Sequence, residues 1–111
     1  MLDSRDNAIL RARMRLNRHH LRQRQHKLGL ADSPWCPSCP HREENIQHVL
    51  FDCPRLQLAR MQLTQELALF GESPDLSVIT GDLARVRPAH VAGVLAATAT
   101  FLSRINQTVS I

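Results

Sequence analysis

Cys36-Pro37-Ser38-Cys39-Pro40-His41-Arg42-Glu43-Glu44-Asn45-Ile46-Gln47-His48-Val49-Leu50-Phe51-Asp52-Cys53 decides the fold of this chain. It holds all three cysteines of the sequence. Two thiolates with two residues between them can grip one ion from a tight turn, and His48 and Cys53 offer a second pair four residues apart. Four soft or borderline donors in this order predict a closed tetrahedral site for one structural zinc ion, held by Cys36, Cys39, His48 and Cys53. Four protein ligands leave no open position for a reacting water, so a catalytic metal is not expected. A redox reading of Cys36-Pro37-Ser38-Cys39 would need a strand leading into a helix, and the proline-rich flanks do not supply one. His41 competes for the histidine position, but it stands so near the cysteine pair that closing a tetrahedron is harder than with His48.

Upstream, residues 4–28 read as two helical pieces. Ser4 can cap the first, Ile9, Leu10 and Met14 fall at helical spacing, and Leu16-Asn17-Arg18 is a weak point where Asn favours a break. The second piece runs from about His20 to Leu28, with Gly29 as its stop. Ala31 to Pro40 is loop by its prolines and serines. Trp35, beside Cys36, is read as packing over the metal, with base stacking as its other role. His20 and His26 make a poorer second pair of metal donors.

Downstream, Arg42 to Phe51 is expected as a short helix with Glu43 and Glu44 near its start, where the helix dipole favours acids. Another helix is expected from about Pro54 to Phe70, then a break at Gly71 to Pro74, and one turn at Leu76 to Thr80. Pro88 opens the last helix, predicted to reach about Val109. Val91, Val94, Leu95, Thr98, Phe101, Leu102 and Ile105 recur at three and four, the strongest amphipathic signal in the chain. No alternation of strand type has comparable length. The fold class is therefore mainly α, a small helical domain organised around the Cys-Cys-His-Cys zinc site. Its parts are a basic helical arm at 1–30, a zinc-binding module at 31–54 and a helical body at 55–111, forming one folded unit.

With 111 residues the chain can build one core and not two. One Trp, three Phe and no Tyr make that core thin in aromatics, so a metal staple would matter to stability. Charge is unevenly spread. Residues 1–27 hold eight Lys or Arg against two acids, and the remainder six against eight. A basic arm on a nearly neutral body suggests an anionic partner. The first residues lack the apolar core of a secretory signal, and no apolar run reaches the ~18 residues of a membrane span. The expected location is intracellular, cytoplasmic or nuclear. No Gly-rich phosphate loop or nucleophile with a relay partner is present, so an enzyme is not expected.

Arg15-Leu16-Asn17-Arg18-His19-His20-Leu21, then Leu28-Gly29-Leu30-Ala31-Asp32-Ser33-Pro34-Trp35-Cys36, then Glu43 through His48 to Cys53-Pro54, and Arg60, follow one another in a recognisable order. Residues 10–62 resemble the zinc-binding region near the C-terminus of non-LTR retrotransposon reverse transcriptases. The eight residues between Cys39 and His48 exceed the gap of the retroviral zinc knuckle and suit a helical insertion. The resemblance implies binding of RNA or DNA beside a catalytic core, or a folding cap for a parent protein. The polymerase and RNase H domains of that family have no counterpart here, so neither activity is implied. The chain is then expected to be a fragment or a domesticated remnant of such a protein.

Two functions follow as expectations. The first is a nucleic-acid-binding module in which Arg11, Arg13, Arg15, Arg18, His19, His20, Arg22, Arg24 and Lys27 contact RNA or DNA phosphates. The second is a protein-interaction or homo-oligomerisation module using the apolar stripe of residues 90–109.

Overall fold

A computed structural model describes residues 4–109 and 111; residues 1–3 of the expected arm and residue 110 lie outside it. The fold is mainly helical, as the sequence implies. Helix α1 (Arg5–Arg15) begins where Ser4 Oγ accepts from the Asn7 amide at 3.2 Å. It ends at Asn17, whose φ of 54° lies in the left-handed region that Asn tolerates better than most residues. Helix α2 (Arg22–Lys27) stops at Gly29 with φ of 75°, and the Leu30 amide reaches back to the Gln25 carbonyl at 2.8 Å. Both breaks fall where the sequence places them.

Helices α3 (Gln57–Ala68), α4 (Leu76–Ile79) and α5 (Val91–Asn106) form the body. Short 3-10 turns at Pro54–Leu56 and Pro88–His90 lead into α3 and α5, so each proline sits where its missing amide costs no helical bond. Val94, Leu95, Ala97, Thr98, Phe101, Leu102 and Ile105 of α5 are all buried. Val94, Ala97, Phe101, Leu102 and Ile105 share one core with Leu63 and Leu67 of α3, Ile79 of α4, and Leu10 and Met14 of α1. The stripe considered as an oligomer face is thus consumed by the chain's own core. The large apolar side chains left exposed among the described residues of the body are Leu58 and Met61 on the outer side of α3, Leu69 at its C-cap, and Leu76 of α4. Gly93 makes room for the Phe70 ring: a Cβ there would lie 2.3 Å from its Cζ. No helix among the described residues is long and apolar enough to cross a membrane.

Between arm and body the structure corrects the sequence reading. Trp35–Cys36 (β1) and Cys39–Glu43 (β2) pair as a small antiparallel hairpin, with Cys36 opposite Cys39 and Trp35 opposite Glu43. The helix expected from Arg42 therefore starts later. Its π-helical turn spans His48–Asp52. So short a hairpin, with Pro34 before it, Pro37 in its turn and Pro40 inside β2, has too few residues for alternation to reveal it.

A candidate metal centre

The hairpin turn brings Cys36 and Cys39 side by side, and the π-turn supplies the other half of the site. Asn45 Oδ1 accepts from the His48 amide at 2.9 Å, which fixes the entry to the turn in the manner of a cap. The Cys53 amide then donates to the His48 carbonyl at 2.7 Å, a bond spanning five residues. In a regular α-helix, residues five apart point ~140° away from each other. The wider turn removes that divergence and lets His48 and Cys53 face one point.

The donor atoms of Cys36, Cys39, His48 and Cys53 all lie within 4.8 Å of one another, close enough to hold a metal ion. Cys36 Sγ and Cys53 Sγ are 3.8 Å apart, and no disulfide joins any of the three cysteines. Cys36, His48 and Cys53 are buried, and Cys39 partly so. The observation that tests the fit is His48 itself. Both ring nitrogens are buried with no hydrogen-bond partner. A buried imidazole left without partners loses its hydration for nothing, whereas coordination satisfies one nitrogen. His41, the other candidate, is exposed on β2 and outside the cluster, and His20 and His26 join no group of donors among the described residues.

The electrostatics suit a cation. Burial, and then the Arg42 charge, lower the His48 pKa against the opposing pull of Asp52, so the ring stays neutral and able to ligate. Burial, then the neighbouring Cys36 and Cys53, raise the Cys39 thiol, so an arriving ion must displace its proton. Behind the sulfurs stands Arg55. Burial works to lower its pKa, but hydrogen bonding to Cys53 and the charges of Cys36, Cys53 and Glu44 raise it on balance. Its guanidinium meets Glu44 Oε2 at 3.0 Å. Arg60 donates to the Cys53 carbonyl.

Glu44 was not singled out as part of the site. It caps α2 rather than its own helix: Oε1 accepts from the Arg22 amide at 3.0 Å, and its carbonyl accepts from the Gln23 amide at 3.1 Å. One buried carboxylate therefore ties the start of the basic helix to an arginine that touches Cys53 of the cluster. Composition alone held no signal for this, because the acid and its helix are 22 residues apart.

The basic residues divide into two groups. Arg11 is only 2% exposed and donates to the carbonyls of Ile79 at 2.8 Å and Leu95 at 3.2 Å. Arg15 donates to the Thr80 carbonyl beside it, and Arg24 to the His19 carbonyl at 3.0 Å. His19 is buried: Nδ1 accepts from the Leu21 amide at 3.2 Å, so Nε2 carries the proton toward Asn17 Oδ1 at 3.0 Å. Arg11 and His19 are thus parts of the fold rather than a surface. Arg18, His20, Arg22 and Lys27 are exposed, Arg15 keeps exposure despite its bond, and Arg13 and Arg24 are half-buried. Trp35, expected to cover the ion, is 45% exposed. Comparison with models of known families, with curated proteins and with solved structures returned no match, so the reading of this centre rests on its own geometry.

Proposed function

We propose that this chain is a zinc-stabilised nucleic-acid-binding module, of the kind found in non-LTR retrotransposon reverse transcriptases, and not an enzyme. The observation that carries the proposal is the Glu44 bridge, which couples the metal centre to the helix bearing Arg22, Arg24 and Lys27. Three thiolates and one imidazole are the donors of structural zinc sites. Sulfurs bound to one zinc at about 2.3 Å in a tetrahedron stand roughly 3.8 Å apart. The Cys36–Cys53 separation of 3.8 Å has that value. An ion with three thiolates carries a net negative charge, which Arg55 offsets.

In this reading zinc supplies cross-linking and no chemistry: the four ligands hold the hairpin against the π-turn. Glu44 then fixes the direction of α2, and the exposed cations Arg18, Arg22 and Lys27 meet phosphates. α2 contains no acid to repel them. Such contacts give affinity without sequence readout and weaken steeply with salt.

The test is fluorescence anisotropy of a labelled RNA hairpin and a DNA duplex, titrated with zinc-loaded protein at low and moderate salt. Binding that falls steeply with salt, and weakens for Lys27→Ala, is expected; the ratio of the two affinities names the substrate. Absence of binding to both at low salt would defeat the proposal. The outer face of α3 would then be the surface on which to seek a protein partner.

A further inference from the structure

We infer that Trp35 is a stacking platform for an unpaired base, so that the nucleic acid crossing the hairpin is single-stranded. The inference rests on the nucleic-acid reading above and adds the form of the ligand. Trp35 is the only tryptophan in the chain, and the three phenylalanines are buried or half-buried. Nearly half of its surface is in solvent although it adjoins Cys36, which is 1% exposed. A large aromatic left in water beside a buried metal ligand gains little for the core.

Its backbone is held from three sides. Trp35 pairs with Glu43 across the hairpin, the Glu44 amide donates to the Pro34 carbonyl at 2.9 Å, and the neighbouring Cys36 is buried in the four-donor cluster. With the backbone fixed, only the two side-chain torsions of the indole are left to be ordered on stacking. Leu28 and Leu30, exposed on the segment between α2 and β1, add apolar surface. Arg22 and Lys27 on α2, and His41 and Arg42 on β2, supply exposed basic groups on the elements adjoining it. Of the nearby acids, Glu43 accepts from Gln23 Nε2 at 3.1 Å and Asp52 is paired with Arg42 at 3.3 Å; Asp32 is exposed in the loop. Bases inside a duplex are already stacked on both faces, whereas an unpaired base offers a free face to the indole.

Because Trp35 is alone, intrinsic fluorescence reports on it directly. Zinc-loaded protein is titrated with an unstructured RNA oligonucleotide and, separately, with the duplex formed by that oligonucleotide and its complement. The single strand is expected to quench the emission. Trp35→Ala should weaken single-strand binding about ten-fold and leave duplex binding unchanged, with Trp35→Phe retaining most of the affinity. Unquenched emission, with single-strand affinity equal in the parent and Trp35→Ala, would overturn the stacking while leaving phosphate binding intact. Failure of both nucleic acids to bind would instead defeat the reading on which it rests. Should Trp35→Ala not fold, quenching in the parent and the affinity of Trp35→Phe decide the matter.

Discussion

Replacing Glu44 by Ala removes two things at once. Oε1 no longer caps α2 through the Arg22 amide, and Oε2 no longer meets Arg55. A lost cap costs about 1 kcal/mol. The ion pair has side-chain exposures of 7% and 21%, so it lies between the exposed and the fully buried cases. Exposed pairs contribute at most ~1 kcal/mol, and breaking a fully buried one costs about 3–5 kcal/mol, which puts this pair near 2 kcal/mol. The sum is about 3 kcal/mol, or a fall in Tm on the order of 10 °C for a chain of this size. Glu44→Gln keeps an oxygen where the Arg22 amide points and gives up only the charge. It should lose roughly half as much. The assay is thermal unfolding followed by circular dichroism at saturating zinc, with metal content measured on the same samples. If Glu44→Ala melts within about 2 °C of the parent, the carboxylate does not join α2 to the metal centre.

Three further outcomes are expected. Cys39→Ser should lose stoichiometric zinc and melt broadly or not at all, because the metal contributes folding energy directly; unchanged melting, by calorimetry, would show the cluster to be incidental. Arg11→Met should cost about 1–3 kcal/mol by leaving the Ile79 carbonyl without its partner, while the folded protein keeps its affinity for RNA. Lys27→Ala should do the reverse, and an Arg11→Met protein with parental Tm and reduced affinity would place that arginine among the phosphate contacts. The last concerns pH. Burial, then the Arg24 and His20 charges, hold His19 below its ordinary 6.5. The unfolded chain then takes up a proton that the folded chain refuses. The contribution of neutral His19 is fully present above about pH 6.5 and is lost progressively as pH falls below it. The slope of stability with pH just below 6.5 should therefore be smaller in His19→Gln, both measured at saturating zinc, and equal slopes would count against a buried neutral imidazole.

The four-donor cluster that could hold a metal was legible because its signal is local: residue type and spacing along 18 positions, with every cysteine used. The breaks were legible for the same reason, since Ser4, Asn17, Gly29 and Pro88 each act on the few residues beside them. Preference for His48 over His41 also followed from spacing, although the reason it succeeds is the five-residue bond to Cys53, which no helical period predicts. What the sequence hid was long-range. Arg11 reads as one more cation until its guanidinium is seen against a carbonyl 68 residues away. Glu44 reads as a helix start until it caps a different helix. Trp35 could be assigned to shielding or to exposure only with the hairpin in view, and that hairpin is too short to announce itself.

All four candidate metal donors lie within the stretch from Cys36 to Cys53, while the contacts joining α1 to α5 span more than half the chain. Closing a short loop costs less entropy than closing a long one, and contacts near in sequence form sooner. An ion can therefore gather its ligands while the body is still open. Once gathered, they would present Glu44 beside Arg55, and the receptor for α2 would exist before the long-range contacts that complete the core. A bound ion would then be a timing element as well as a staple. It would make the 18-residue stretch from Cys36 to Cys53 the first rigid piece of the protein. The availability of the ion during synthesis, more than its affinity afterwards, would decide how much of the chain reaches the native state.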